Sequence, residues 1–389
     1  HGNNRIRFGK TFVSTVEIID TLYEKYISGG HFNKLIIRGN NEQISFATDS
    51  LLLLPGSSYQ ISNEINQPFD ILQYIGANAP CDNPILLYSQ ESQYGNIEVA
   101  PPVTQNINNL HVSEITNHGP SISLPNSFDL GGNSGFTFPA NLGRTLYWVG
   151  NSGSWFNDTC WSLSSGGLGG NCIPTAFDTV IFNQNSFSAP NQEVQHQGKT
   201  MMAHTQIWGN VQPNSRFAPN GKIWNFGDLL MDNTTSTNFQ NSFYFKTLSA
   251  LDTNLINIRN RRLENIYLFN QGVLLFKDSI QFNTLYQYKG TAVLDSTFLF
   301  GGHFRMLGND SASLFLSHMT FDGWRFLNDK SNLFLSDNSS IISVREIFRS
   351  STPFLNFNKV ILTGQPSWSN SDFYTNRNTI NKAEFLYNA

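Results

Sequence analysis

The residues that could do chemistry in this chain are few and scattered. His303 and His318 lie in a strongly periodic region. A histidine pair can hold a metal or pass a proton only if its rings meet, and these two fall in different strand series, which favours isolated corner histidines. The run "RNRRLE", Arg259 to Glu264, could offer cations to an acidic sugar, yet as a solvated turn it needs no partner. Asp278, Asp295, Asp310, Asp322 and Asp337 sit at turn positions, where Asp is expected, instead of gathering on one face for proton abstraction. No GxGxxG, Walker loop, HExxH, GxSxG or CxxC is present. On this reading the chain is not an enzyme, and no catalytic, cofactor-binding or metal-ligating residue is assigned.

Two further sets of reactive side chains remain. Cys160 and Cys172 bracket the glycine-rich "WSLSSGGLGGN", a loop that closes easily, so the spacing predicts a Cys160–Cys172 disulfide in an oxidising compartment. Cys81 is then left over. Asp followed by Ser or Thr and an apolar or Thr residue occurs six times, more often than composition alone would produce. The hydroxyls concerned are Thr21, Ser50, Thr179, Ser279, Ser296 and Ser311. These triplets resemble the acceptor motif for O-glycans in the Bacteroidetes; Asp-Ser is also an ordinary turn pair, and both readings stay open.

Composition bounds what must position these groups. Lys and Arg number 24 against 28 Asp and Glu, a net charge of -4, which leaves no basic stripe for a nucleic-acid backbone. There are 32 Phe, and Asn is abundant, a mixture suited to strands joined by polar turns. The longest leucine run, "LLLLPG", stops after four, far short of the roughly 20 residues of a membrane-spanning helix. The sequence starts at His1 without an initiator Met or signal-like segment, as expected of a fragment or processed chain.

Periodicity decides the architecture. "VLLF" at Val273, "AVLD" at Ala292, "SLFL" at Ser313, "NLFL" at Asn332 and "PFLNF" at Pro353 recur about every 20 residues. Two more series interleave with the first, and turn formers separate them. The pattern predicts an all-β fold, a right-handed parallel β-helix (β-solenoid) of three strands per coil, with Leu274, Leu294, Leu314 and Leu333 in one inward stack. Phe276, Phe282, Phe300, Phe315, Phe321, Phe326 and Phe334 are expected to form a stacked core. "FNKLIIRG" at Phe32 returns as "FNKVILTG" at Phe357 with five of eight positions identical, which suggests two modules of one kind. The expected organisation is the C-terminal part of one solenoid module over 1–140, a Trp/Gly-rich junction or cap over 141–190, and the next module over 191–389.

The junction is the most distinctive stretch. "DLGGNSGFTFP" is followed by "LYWVGNSGSWFNDTCWSLSSGGLGGNCIPTAFDTVIF", with Trp148, Gly150, Gly153, Trp155 and Trp161 closely spaced and Pro174, Asp178, Val180 and Phe182 after them. Three indole rings could cover the open end of a solenoid while glycines let the chain turn over it; exposed Trp stacking on a sugar is the competing reading. The run resembles a motif of the giant cell-surface adhesins of gliding Bacteroidetes, the SprB type. Cys160 before the second Trp-Ser departs from that motif. The resemblance implies an extracellular filament exported by the type 9 secretion system and carried by the gliding machinery. It would attach cells to external surfaces or polysaccharides. A polysaccharide-binding module, or a lyase or glycosidase on a β-helix, is the alternative.

Overall fold

In the computed structural model, strand makes up 60% of the chain and helix 1%, so the fold is all-β. It is a β-solenoid of about 12 turns whose equivalent positions lie about 22 residues apart. The structure describes residues 4–7, 12–19, 25–38, 41–61, 69–89, 95–100, 104–233, 239–295, 298–307, 312–317, 320, 321–328, 332–335, 341–350, 356–363, 372–375 and 379–386. The chain divides into two compact units, His1–Asn141 and Leu142–Ala389.

In the second unit each early turn has three short strands. Glu193–Val194, Thr200–Ala203 and Thr205–Trp208 form one turn; Arg216–Phe217, Lys222–Asn225 and Leu229–Met231 form the next. Each pairs in parallel with its equivalent. Further on, neighbouring strands merge into long bent ones, Arg262–Phe276 and Ile280–Asp295, whose register slips where the chain rounds a corner. One register nevertheless runs unbroken through Arg262, Gln281, Phe300, Asp322, Ser343, Ile361 and Glu384. In-register stacking places like residues over like, so an apolar position in one turn becomes an apolar column.

One such column is Leu146, Val180, Gln206, Leu229, Ile256, Phe276 and Leu294, all buried. Leu294 therefore stacks on Phe276, while Leu274 stacks on Ala292, with Leu314 and Leu333 next in that register. The expected single leucine column is thus two columns, offset by one inward position, because corner slips change the residue count between strands. Phe276, Phe282, Phe321 and Phe326 are buried as expected, but Phe315 is 37% exposed and faces outward. It shares an outward register with Leu275 and Val293. The side chains of Phe300 and Phe334 lie outside the described residues. Asp322 is within the strand Thr320–Asn328, not in a turn.

Corners are held by amides. Asn225 donates to the carbonyl of Gly227, Asn270 to Gly272 and Thr291, and Gln287 to Gly290 and Ser313. Each occupied amide satisfies carbonyls that turning removes from the ladder, and several bonds reach the next turn. Asparagine also dominates the non-glycine positions of positive φ, as at Asn191 (62°), Asn214 (59°) and Asn220 (66°). It is among the few side chains that visit the left-handed region at small cost, which explains its abundance here.

The first unit follows the same rules. Lys25–Arg38, Asn41–Leu53, Phe69–Asn78 and Gly95–Val99 pair in parallel. The two similar octapeptides share one burial pattern: Phe32 and Leu35 are buried with Asn33 and Lys34 outward, and Phe357 and Val360 are buried with Asn358 and Lys359 partly exposed. At the end of the unit, Phe136 and Phe138 pack against its core.

Gln206 breaks its column. Both ends of its amide are buried and neither has a hydrogen-bond partner. An unpaired buried polar group costs about 1–3 kcal/mol, so Gln206→Leu is expected to raise the thermal midpoint of the second unit. A lowered midpoint would mean that an internal water satisfies the amide.

Candidate functional site

The tryptophan-rich stretch opens the second unit. Strand Thr145–Trp148 pairs in parallel with Thr179–Phe182 on one side and antiparallel with Trp161–Ser162 on the other. The antiparallel pairing puts Trp148 opposite Trp161 and occupies the edge that a preceding turn would otherwise take. Trp148, Trp155 and Trp161 are each 0% exposed. Trp161 lies edge-on to both others, with centroids 5.1 Å from Trp148 and 4.8 Å from Trp155. Its Nε1 donates to the carbonyl of Trp155 at 2.8 Å, and Trp148 Nε1 donates to that of Asn151 at 3.1 Å. Below them Phe182 stacks on Trp208 at 3.9 Å. No indole face is left for a sugar, so the sugar-stacking reading of this motif is set aside.

The glycines are dictated by space. A Cβ on Gly150 would meet Cys160 Sγ at 2.5 Å and the Trp148 ring at 2.8 Å; one on Gly153 would meet the same sulfur at 2.6 Å. Cys160 therefore fills the space beneath both glycines. It is buried, its thiol is free, and burial pushes its pKa up despite hydrogen bonds involving Thr159 and Ser154.

This corrects the expected disulfide. The oxidised cysteines are Cys81 and Cys172, not Cys160 and Cys172. A glycine-rich loop makes ring closure cheap, but it does not decide which way a side chain points. Asn157 caps the short 3-10 turn Asp158–Cys160, and that turn aims the Cys160 sulfur into the core. Thiol labelling of the native protein should leave all three cysteines unmodified. Denaturation should expose Cys160 alone, and reduction should then release Cys81 and Cys172.

Asp178, seen in the sequence both in an Asp-Thr pair and in the Trp/Gly motif, is a hub of hydrogen bonds. Its buried carboxylate accepts from the Arg144 backbone N–H at 2.7 Å, from Arg144 Nε at 3.0 Å and Nη2 at 2.6 Å, and from the N–H and hydroxyl of Thr175. Arg144 also donates to the carbonyls of Cys172 and Ile173. One charge pair thus ties the first strand to the end of the glycine-rich loop. The Asp178 carboxylate is buried while the Arg144 side chain is partly exposed, so breaking the pair costs less than breaking a fully buried one. The signal was the spacing of Asp178 before "TVIF", legible as a motif but not as an ion pair.

The glycan candidates separate. Ser50, Thr179 and Ser279 are half-buried, with Ser50 and Thr179 inside strands rather than on loops. Thr21, Ser296 and Ser311 lie outside the described residues, as does His318. The Asp278 carboxylate accepts from the N–H of the next residue, Ser279, at the bend between two strands. In "RNRRLE", Arg259 and Asn260 occupy left-handed corner positions and Arg262 meets Glu264 at 3.4 Å, a solvated turn.

Other titratable groups are dispersed. In the first unit His31 Nε2 meets Asp49 Oδ1 at 2.9 Å, and Asp70 pairs in register with Glu98. Burial, and then repulsion from Glu98, raise the pKa of Asp70, while His31 opposes them. Among the described residues no group of three or more His, Cys, Asp or Glu could hold a metal ion. Among them also, no helix is long and apolar enough to cross a membrane.

His204 lies at a corner of the second unit beside Gly227, with Nδ1 3.1 Å from the Thr205 hydroxyl. Burial lowers its pKa below 6.5, against the pull of Asp252 and Asp228. The unfolded chain therefore takes up this proton first. Stability from His204 is full above about pH 6.5 and is lost as pH falls toward its folded value. Thermal melting between pH 7 and pH 5 should fall more steeply in the native protein than in His204→Gln. Parallel slopes would show that His204 does not contribute.

No known family, curated protein or solved structure matches this chain.

Proposed function

We propose that the chain is a structural segment of an extracellular cell-surface adhesin filament that serves attachment to surfaces and gliding. The observation that carries this reading is the use made of the Trp/Gly motif. Its three indoles, two glycines and latch ion pair are wholly spent on closing the end of a solenoid stack, where a binding or catalytic motif would present side chains outward. Oxidised Cys81 and Cys172 accord with an oxidising, extracellular setting. The low charge and the continuous apolar columns suit a stiff, protease-resistant stack. Its resemblance to the adhesins of gliding Bacteroidetes supplies the rest: export by the type 9 secretion system and transport by the gliding machinery, through regions of the full-length protein.

Antibodies raised against the folded chain should label intact cells of the producing organism, and Fab fragments should reduce their attachment and gliding on glass. Labelling confined to lysed cells would overturn the reading, as would cleavage of a polysaccharide by the purified chain.

A further inference from the structure

The sheet of the second unit that carries the inward column from Leu146 to Leu294 has an apolar outer face as well. Beside that column, one outward position holds Tyr147, Ile181, Ile207 and Leu230, paired in register from turn to turn. At the following turn the register sets Leu230 beside Asn257, and the apolar residues shift to the outward position two residues earlier in the strand. There they continue as Leu255, Leu275, Val293 and Phe315. Phe315 is 37% exposed and the others are half-buried. An antiparallel or solenoid strand with one face in water is expected to alternate apolar-in with polar-out, and this strip keeps apolar residues outward through eight successive turns. Its borders are short and neutral. Thr145, Thr179 and Thr205 run beside the first half, and Thr253, Thr291 and Ser313 beside the second. Of the charges near the step, the Asp228 carboxylate accepts from the Leu255 N–H, and Lys277 is exposed just beyond the end of its strand.

We propose that this strip is the surface through which two copies of the chain associate side by side. The area is sufficient. Turns about 4.8 Å apart make the strip roughly 34 Å long, and with one flanking position on each side it is roughly 20 Å wide, so a pair of copies would bury roughly 1,400 Å², within the range of about 1,200–2,000 Å² typical of stable pairs. The shape is self-complementary. Four apolar residues lie on each side of the step, so a two-fold axis through the step sets the first half of one copy on the second half of the other, with Ile207 opposite Leu275 and Ile181 opposite Val293. The oblique course of the strip makes the two stacks cross at a modest angle, as sheets packed face to face do. Neutral borders let like surfaces meet without repulsion. Other occupants fit less well: a sugar chain is gripped by aromatic faces, and here aliphatic residues separate Tyr147 from Phe315. A lipid surface is held by projecting apolar residues set among cations, whereas this strip is flat and bordered by hydroxyls. The inference goes beyond the adhesin reading and does not rest on it.

Sedimentation equilibrium of the full 389-residue chain should show a monomer–dimer equilibrium that tightens in sulfate, which strengthens apolar burial. Ile207→Lys/Leu275→Lys should weaken it at least tenfold. Mixing that variant with Ile207→Glu/Leu275→Glu should restore a one-to-one dimer, because each Lys then faces a Glu. Leu163→Lys/Leu251→Lys changes two exposed leucines away from the strip and should associate as the native chain does. Circular dichroism and melting check that each variant is folded, and Ile207→Thr/Leu275→Thr replaces the Lys variant if it is not. The proposal is overturned if the native chain is a monomer at every concentration, including the case in which it floats with phosphatidylcholine vesicles instead. It is overturned equally if both Lys double variants weaken association to the same extent, or if the Lys and Glu variants fail to pair.

Discussion

Everything in this molecule depends on one constraint: parallel strands must find their hydrogen-bond partners in the turns above and below. A turn cannot satisfy its own backbone, so each is stable only between neighbours, and an end of the stack must be closed. The antiparallel strand Trp161–Ser162 meets that demand at the start of the second unit, and the three buried tryptophans fill the lumen beneath it. In the first unit, Phe136 and Phe138 pack against its own core.

The same constraint explains the polar chemistry. At each corner the backbone leaves its ladder, and carbonyls lose partners. Buried amides at Asn225, Asn270 and Gln287 restore them, and left-handed asparagines make the turns. Asp178 does the equivalent work with a charge, at the point where the cap's loop rejoins the stack. Most of the conspicuous polar residues are therefore engaged with the backbone. The outer face of the second unit is ordered by the same register, as in the row Tyr267, Tyr286 and Arg305.

The sequence by itself determined the repeat, and with it the fold class. Apolar triplets about 20 residues apart, separated by turn formers, have no other economical packing, since a period of that length must be buried by stacking. It also marked the Trp/Gly stretch as special, because Trp148, Trp155, Trp161, Gly150 and Gly153 are too costly to cluster without a common use. Tertiary structure alone decided which way side chains point. Leu294 joined Phe276 instead of Leu274, and Phe315 faced out, because a slip of one or two residues at a corner is invisible in a pattern read by spacing. Cys160 turned inward under two glycines while Cys172 was oxidised, because loop length limits which thiols can meet but a 3-10 turn sets their direction. The Arg144–Asp178 latch and the row from Tyr244 to Arg305 join residues some 20 or more positions apart. Only the register of stacked turns brings such residues together, and that register is a property of the folded stack.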